Sequence, residues 1–326
     1  MIDPKKTKLA KQIRHKSPLL GCRFDPSGKY VFAGAQDNTV QRWEWATGKK
    51  VAFVGHNSWI RALAFDAKGK RLFSADWAGK LLAWSIEEAK PKPILNLDAH
   101  KGFVRDLETS PDGKWLASAG NDHKVRLWSI PDLKLAREFT GHDRHVYNLT
   151  FHPDGKHLVS IDLKGVIKQW NLETGNLVRE MDAKILYKYD KTFRAEIGGA
   201  KAMVFTADGQ TLICAGMTNV SNAFAGVGNP LFVSFDWKTG KRAKLYKPSK
   251  AFRGSGWGVE AHPDGTILGV GAGGGGGSLW FWKPGQEKSI HAMKLPTNSR
   301  DLDLHPDRKH IAIAFGDGSL RVYQLT

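Results

Sequence analysis

Histidine offers the most chemistry in this chain, because imidazole serves as a general acid or base and as a metal ligand. The sequence has twelve histidines and two cysteines. No pair of histidines shows the i, i+4 spacing of a helical metal site, and no histidine has a cysteine partner at the spacing of a zinc site. We therefore expect no metal site, no cofactor and no catalytic residue.

The glycine run 271–277 invites comparison with the loops that cradle phosphates ahead of a helix. No Gly-Lys-Ser/Thr follows the run, and no helical pattern lies behind it. The chain also lacks the Gly-x-Ser-x-Gly elbow of serine hydrolases. The run instead predicts a tightly wound or flexible turn, where the backbone comes close to another group.

The elements that would position any site are indicated by a tight-turn sequence that recurs seven times. A short apolar-alternating run precedes each turn, a second follows it, and a third run ends on an aromatic residue. The turns begin at Asp25, Asp66, Pro111, Pro153, Ala207, Pro263 and Pro306, and the aromatic residues are Trp43, Trp84, Trp128, Trp170, Phe235, Trp282 and Tyr323. Such turns are typical of connections between short strands.

The spacing of these signals is regular. From the end of the first run to the aromatic residue is 19 positions in five units, as from Phe24 to Trp43. Units of about 40 to 45 residues with four short strands are typical of propeller blades. The sequence therefore predicts one all-β domain over residues 1–326, a seven-bladed β-propeller of four-stranded antiparallel blades. The approximate blades are 17–53, 54–97, 98–139, 140–181, 182–246, 247–294, and 295–326 with 7–15.

The last blade lacks its outermost strand, because only three residues follow Tyr323. The segment from Lys8 to Arg14 precedes the first blade without an evident partner. Pairing that segment with the last blade would close the ring and cover an edge of unpaired backbone groups. We expect the N-terminal strand to close the ring.

With Gly55-His56, Ala99-His100 and Gly141-His142 ahead of three blades, the chain resembles the WD40 repeat family, and its bacterial members in particular. The resemblance implies a structural tetrad of hydrogen-bonded residues, which one blade matches fully: His100, Ser118, Asp122 and Trp128. It also implies structural roles for His56 and His142. The Trp-Asp pair of the family is replaced by other residues in most blades, as in Trp84-Ser85. His152, His262 and His305, which precede Pro-Asp turns, are expected on solvent-facing turns.

Extra length is confined to blades five and six. The interval of 19 grows to 30 between Phe205 and Phe235, and to 21 between Ala261 and Trp282. The connections into these blades are also longer, over 184–199 and 247–256. Because strand direction alternates, all four extensions emerge on one face, and length added to one face often builds a binding site. The alternative is that the extensions only pack on one another.

A second set of candidates is the residue just inside each first strand, which would surround the channel mouth on the same face. Arginine and tryptophan are frequent interface anchors, and we expect Arg253 and Trp257 to project from the scaffold. The candidates for partner binding from both arguments are Arg61, Arg105, Tyr147, Tyr187, Arg194, Lys201, Asn222, Phe224, Arg253, Trp257 and Arg300.

The formal net charge is +17, which favours anionic partners because the summed field attracts them. The alternative is that the lysines only keep the protein soluble. With no long apolar segment or secretory signal pattern, we expect a cytoplasmic protein without membrane insertion. Cys22 and Cys214 are expected as buried small hydrophobes.

Three functions follow from these observations. The first is a non-enzymatic, monomeric interaction scaffold that binds an acidic protein or peptide on the face of the blade five and six extensions. The second is association of the basic surface with nucleic acid, which salt would weaken steeply. The third, an enzyme, rests only on the existence of unrelated propeller enzymes.

Overall fold

The computed structural model describes residues 1–222 and 227–326. Its strands form seven four-stranded antiparallel sheets, and the first strand, β1 (Lys8–Arg14), pairs with the last described strand. The predicted all-β, seven-bladed β-propeller is therefore confirmed. The helices among the described residues are two short 3-10 turns, Pro4–Lys6 and Lys184–Leu186.

The first half of the chain begins with β1 and continues with four blades of consecutive strands. Strand β1 is Lys8–Arg14. Blade 1 consists of β2 (Leu19–Phe24), β3 (Tyr30–Ala35), β4 (Thr39–Glu44) and β5 (Lys49–Val54). Blade 2 consists of β6 (Ile60–Phe65), β7 (Arg71–Asp76), β8 (Lys80–Ser85) and β9 (Pro93–Asp98). Blade 3 consists of β10 (Val104–Thr109), β11 (Trp115–Gly120), β12 (Val125–Ser129) and β13 (Leu135–Phe139). Blade 4 consists of β14 (Val146–Phe151), β15 (His157–Asp162), β16 (Val166–Asn171) and β17 (Leu177–Asp182).

The second half contains an additional hairpin and the three remaining blades. The hairpin is β18 (Lys188–Asp190) with β19 (Ala195–Ile197). Blade 5 consists of β20 (Ala202–Phe205), β21 (Thr211–Asn222), β22 (Val227–Asp236) and β23 (Arg242–Tyr246). Blade 6 consists of β24 (Ser255–Ala261), β25 (Ile267–Gly273), β26 (Gly276–Trp282) and β27 (His291–Leu295). Blade 7 consists of β28 (Ser299–Leu304), β29 (His310–Phe315), β30 (Ser319–Gln324) and β1.

The N-terminal strand supplies the outermost strand of blade 7, as predicted. Strands β1 and β30 are antiparallel, with Lys8 opposite Gln324 and Arg14 opposite Ser319. Ile13 of β1 is buried in the apolar cluster beneath blades 1 and 7. The edge of β30 is thereby paired within the chain instead of being open to another chain.

The aromatic residue that ends each third strand is buried in every blade. Trp84 and Trp282 have no exposed surface, and Tyr323, in the last blade, is 5% exposed. Because a lone blade leaves both of its apolar faces uncovered, these rings are buried only when sheets lie side by side. Their regular recurrence in the sequence is therefore explained by packing.

The chain forms two compact units, Met1–Lys5 with His142–Arg300 and Lys6–Gly141 with Asp301–Thr326. The unit His142–Arg300 has apolar clusters over blades 4 and 5 and over blades 5 and 6. The other unit has clusters over blades 1 and 2 and over blades 2 and 3, besides the one beneath blades 1 and 7. The assignment of residues 1–326 to one domain stays a prediction.

Candidate functional site

The extensions of blades 5 and 6 contact one another. The backbone N–H of Gly254 donates to the carbonyl of Gly228 at 2.8 Å. The Asn229 side-chain amide donates to the carbonyl of Phe252 at 3.1 Å. The long β21–β22 hairpin of blade 5 is thereby joined to the segment that leads into blade 6. The extensions pack on one another, and a cavity opens beside them.

This basic cavity has a volume of about 660 Å³ and lies within the unit His142–Arg300. Three cationic side chains line it, together with backbone, small residues and one tryptophan, and none of the described lining residues is a carboxylate. The lining residues are Lys201, Met217, Arg253, Gly254, Ser255, Trp257, Ala272, Gly273, Gly274, Asn298 and Arg300. Three cations with no carboxylate among them create a positive potential, which favours a negatively charged group.

Two of the cations stack on aromatic rings. Lys201 Nζ lies 4.5 Å from the centre of the Tyr147 ring and 5.6 Å from that of Trp257. The guanidinium carbon of Arg300 lies 5.1 Å from the centre of the same Trp257 ring. Each contact is within the range of cation–π attraction. The four residues form a cation–aromatic stack, and all four are half-buried.

Arg253 differs from the other two cations because it is exposed. Within residues 1–222 and 227–326, its guanidinium has no hydrogen-bond or salt-bridge partner. Guanidinium binds carboxylate and phosphate through two parallel hydrogen bonds. Arg253 is therefore available to bind an anionic group at the rim of the basic cavity.

Glycine allows the backbone to reach this arrangement. A Cβ atom at Gly273 would lie 1.8 Å from the carbonyl oxygen of Arg253, and one at Gly254 would lie 2.2 Å from the carbonyl oxygen of Ala272. Any larger residue would push these two backbone segments apart. Strands β25 and β26 meet at the pair Gly273–Gly276, so the glycine run forms the tight turn that the sequence predicts. The Asn298 side-chain amide faces the carbonyls of Gly273 and Gly276, and in the orientation that points its nitrogen at them it donates to both.

The remaining candidates near the extensions lie elsewhere. The Tyr187 hydroxyl donates to Glu196 at 3.3 Å, and Glu196 also pairs with Arg144. Arg194 is exposed in the turn between β18 and β19. Neither residue lines the basic cavity. Asn222 ends β21, and Phe224 lies outside the described residues.

The candidates of the other unit are engaged within it. Arg61 Nη1 donates to the carbonyl of Leu20 at 3.3 Å. Arg105 Nε donates to the Asn121 side-chain oxygen at 2.7 Å, and its guanidinium lies 5.2 Å from the centre of the Phe103 ring.

Of the eleven partner-binding candidates, the structure brings Tyr147 and four others together: Lys201, Arg253, Trp257 and Arg300. Trp257 lies against Lys201 and Arg300 rather than projecting.

Sequence analysis did not identify the polar and small residues that complete the cavity. Ser255, Asn298 and the glycines at 273 and 274 line it. The length of the connection after Phe235 indicated that the region is elaborated. No signal in the sequence showed that Asn298, which belongs to the connection into blade 7, would fold back on the glycine turn.

The residues of the expected tetrad form one hydrogen-bonded chain. The Trp128 indole N–H donates to Ser118 Oγ at 2.9 Å, and Ser118 Oγ lies 2.7 Å from His100 Nε2. His100 Nδ1 lies 2.7 Å from Asp122 Oδ1. Burial lowers the pKa of His100, although Asp122 opposes this effect. Burial favours the neutral form of Asp122, yet hydrogen bonds with His100 and Arg126 hold its pKa well below its usual range.

Blades 2 and 4 contain equivalent chains, in agreement with the structural roles expected of His56 and His142. His56 lies 2.7 Å from Ser74 Oγ and 3.0 Å from Asp76. In blade 4, the corresponding residues are His142, Ser160, Asp162 and Trp170. In these two blades the aspartate stands eight positions before the tryptophan instead of six. The Ser-x-Asp sequence on the second strand is the signal that would have identified them.

Two histidine turns have the composition of metal sites. The ligand atoms of His152, Asp154 and His157 lie within 4.8 Å of one another, and His305, Asp307 and His310 form the same arrangement. His152 Nε2 donates to the carbonyl of Gly209, and its Nδ1 accepts from the Asp154 backbone N–H at 3.1 Å. Since a neutral imidazole has one donor and one acceptor, both nitrogens are already used in closing the turn.

The solvent-facing placement expected for these histidines is wrong for two of them. His152 and His305 are each 7% exposed. The His152 ring stacks on the Trp237 ring, with 4.4 Å between the ring centres. The His305 ring lies edge-on to the Trp45 ring, with 5.8 Å between the ring centres. An indole covers the imidazole in both cases, which a turn sequence alone does not reveal. Cys22 and Cys214 are buried and free, as predicted.

Comparison with known proteins identifies the repeats. The family model "WD domain, G-beta repeat" matches residues 6–44, 48–85, 91–129 and 133–171. The chain is 33% identical over 103 residues to the nuclear distribution protein PAC1 of Arthroderma otae, covering 30% of this chain and 22% of that protein. It is 27% identical over 111 residues to the lissencephaly-1 homolog of Heterostelium pallidum, covering 34% of this chain and 26% of that protein.

A third relative is an uncharacterised WD repeat-containing protein of Schizosaccharomyces pombe, 24% identical over 143 residues, covering 41% of this chain and 39% of that protein. The matches therefore span 22% to 39% of these relatives' lengths. No helix in the described part of the chain is long and apolar enough to cross a membrane. The chain therefore contains four WD repeats, within residues 6–171, and its seven four-stranded blades form a β-propeller.

Proposed function

We propose that this protein is a non-enzymatic interaction scaffold, which binds acidic groups of a protein or peptide partner at the basic cavity. The observation that carries the proposal is the composition of the cavity. Lys201, Arg253 and Arg300 line it without any carboxylate. A ligand carboxylate would therefore meet three positive charges in the lining of the cavity.

The division of labour among the cations supports a binding role. Lys201 and Arg300 are held on aromatic rings, so little conformational freedom is left for them to lose on binding. Arg253 is exposed and has no partner among the described residues, so it can reach toward a ligand at the rim. Preorganised charges inside and an adaptable charge outside suit an acidic side chain or a chain-terminal carboxylate.

The comparisons support the class of function. WD40 repeats occur in proteins that assemble other proteins, and the relatives described above do not carry the names of enzymes. Four points stay predictions: the partner, the cytoplasmic location, the monomeric state and the resemblance to bacterial members of the family. The net charge of +17 adds long-range attraction for an acidic partner.

The test is binding of a fluorescein-labelled peptide rich in glutamate to the full-length protein, followed by fluorescence anisotropy. We expect Arg253→Ala to weaken binding by about one to two orders of magnitude, since a charged hydrogen-bonded pair is worth about 1.5 to 3 kcal/mol. Arg253→Lys should restore part of the affinity. Affinity capture from a cell extract with the same variants would then identify the natural partner.

The matched control is the double variant Lys156→Ala with Lys241→Ala, which removes two exposed charges from turns outside the cavity. This variant should bind the peptide like the wild type. Equal loss of binding in the control and in Arg253→Ala would mean that net charge alone attracts the peptide. Unchanged binding by Arg253→Ala would remove the basic cavity from the proposed function.

A further inference from the structure

Three aromatic side chains form a connected series in the unit Lys6–Gly141, apart from the residues used above. Trp59 lies directly before β6, Trp77 directly after β7, and Phe103 directly before β10. The centres of the Trp59 and Trp77 rings are 4.8 Å apart, and those of Trp77 and Phe103 are 4.5 Å apart with an interplanar angle of 15°. We call these residues the aromatic series.

The backbone fixes the positions of these rings. The N–H of Trp77 donates to the carbonyl of Trp59, and the N–H of Asn121 donates to the carbonyl of Phe103. The rings therefore stand at the same ends of neighbouring sheets, on short and well-defined connections. Trp59 is 38% exposed, while Trp77 and Phe103 are half-buried. Large aromatic residues left partly exposed on ordered connections are characteristic of interaction sites.

Positive charge accompanies the aromatic series. The Arg105 guanidinium lies 5.2 Å from the centre of the Phe103 ring, and Lys101 is exposed two positions before that ring. Two carboxylates of blades 2 and 3 are already paired within the chain. Asp76 is hydrogen-bonded to His56, and Asp122 is paired with His100 and Arg126. A ligand at this surface would therefore meet flat rings and cations together.

We propose that the aromatic series binds single-stranded nucleic acid, with a base stacked against Trp59 and phosphates near Lys101 and Arg105. A single strand offers both unpaired bases and regularly spaced negative charge. A cationic peptide would be repelled by this surface, and an acidic peptide would leave the rings without a stacking partner. A duplex keeps its bases stacked inside, so it could use only the cations. The proposal is independent of the basic cavity, which lies in the other unit.

The experiment measures anisotropy of a fluorescein-labelled twelve-nucleotide oligothymidylate with full-length protein at low salt. We expect Trp59→Ala to raise the Kd roughly tenfold, as for removal of one stacked aromatic residue, and Trp59→Phe to restore most of the affinity. The logarithmic salt slope should stay the same in Trp59→Ala, since no charge is removed. Lys101 is exposed, and packing does not restrict its replacement. Lys101→Glu should therefore weaken binding without making the salt dependence of the Kd steeper and without lowering the melting temperature.

The control variant is Phe193→Ala, which removes an aromatic ring that is 57% exposed in the other unit. It should bind the oligonucleotide like the wild type. The proposal is overturned if the oligonucleotide does not bind at low salt, or if Trp59→Ala and Lys101→Glu bind it as tightly as the wild type. It is also overturned if a duplex of equal length binds as tightly as the single strand. The same holds if Trp59→Ala weakens binding of a glutamate-rich peptide instead of binding of the oligonucleotide.

Discussion

The guanidinium carbon of Arg300 lies 5.1 Å from the centre of the Trp257 ring, over which Lys201 is also placed. One indole thus attracts two like charges that would otherwise repel each other. The ring therefore contributes to the positions of both cations in the basic cavity, together with Tyr147 in the case of Lys201. Trp257 acts on a ligand through these cations as well as through its own surface.

Replacing Trp257 by alanine should consequently affect both stability and binding. We expect a loss of about 1 to 3 kcal/mol in the free energy of unfolding, in the usual range for half-buried residues. The Kd for the glutamate-rich peptide should rise because Lys201 and Arg300 are no longer held. Trp257→Phe, which keeps an aromatic ring, should retain most of the stability and most of the affinity for the peptide. Equal peptide binding by Trp257→Ala would show that the stack does not position the cations.

The glycine turn offers a second, sterically sharp prediction. Gly273→Ala would bring a methyl group within 1.8 Å of the Arg253 carbonyl oxygen, so the segment that carries Arg253 has to move. We expect destabilisation of about 1 to 3 kcal/mol by overpacking, with weaker peptide binding. Gly275→Ala is the control, because its added methyl group meets nothing within 4 Å and Gly275 does not line the cavity. Denaturant unfolding and anisotropy of both variants would decide the matter, and equal behaviour would contradict the prediction.

His100→Ala should destabilise the protein without removing its binding activity. The variant leaves the buried Ser118 hydroxyl and Asp122 without their shared partner. An unsatisfied buried partner costs roughly 1 to 3 kcal/mol, to be measured by denaturant unfolding. A variant that folded like the wild type but lost peptide binding would assign His100 a role in recognition rather than in structure.

The same histidine predicts a dependence of stability on pH. Because burial lowers the pKa of His100 in the folded state, the unfolded chain, whose histidines titrate near about 6.5, binds more protons. The contribution of neutral His100 is therefore present above that pH and is lost as the pH falls below it. The difference between the melting temperatures at pH 7.5 and pH 5.5 should be smaller for His100→Ala than for the wild type. An unchanged difference would rule His100 out as its source.

Deletion of residues 1–16 should destabilise blade 7. It removes β1, uncovers the edge of β30 and takes Ile13 out of its apolar cluster. We expect a clear fall in melting temperature and a tendency to aggregate through the open edge. Deletion of residues 1–5, which leaves β1 intact, is the control and should cost less. An unchanged melting temperature after the longer deletion would contradict the role of β1 as the closing strand.

Much of the fold could be predicted because it depends on repeated local signals. The buried aromatic at the end of each third strand and the turn after each first strand recur at nearly constant spacing. Even the seventh turn, which has Arg308 where the other six have glycine, keeps the left-handed conformation, with φ of 61° against 67° for Gly155. The Arg308 N–H donates to the His305 carbonyl just as the Gly155 N–H donates to the His152 carbonyl, so the turn keeps its hydrogen bond without a glycine.

The site was only partly predictable, because its contacts join residues distant in sequence. Arg253 was identified by its long connection, yet the approach of Gly273 to its carbonyl depends on how two connections cross. Trp257 was expected to project, and it lies instead against Lys201, 56 positions earlier, and Arg300, 43 positions later. Spacing within one repeat carries no information on such contacts between repeats. The stacking of His152 under Trp237 was missed for the same reason.

The pairing of β1 with β30 has a consequence for synthesis of the chain. Lys8 leaves the ribosome long before Gln324, its partner across the ladder. Blades 1 to 6 consist of strands that follow one another, so each can form as it emerges, whereas blade 7 cannot form until β28, β29 and β30 have been synthesised. Throughout that interval β1 is an unpaired strand with three lysine or arginine side chains, Lys8, Lys11 and Arg14, which discourage association with other nascent chains.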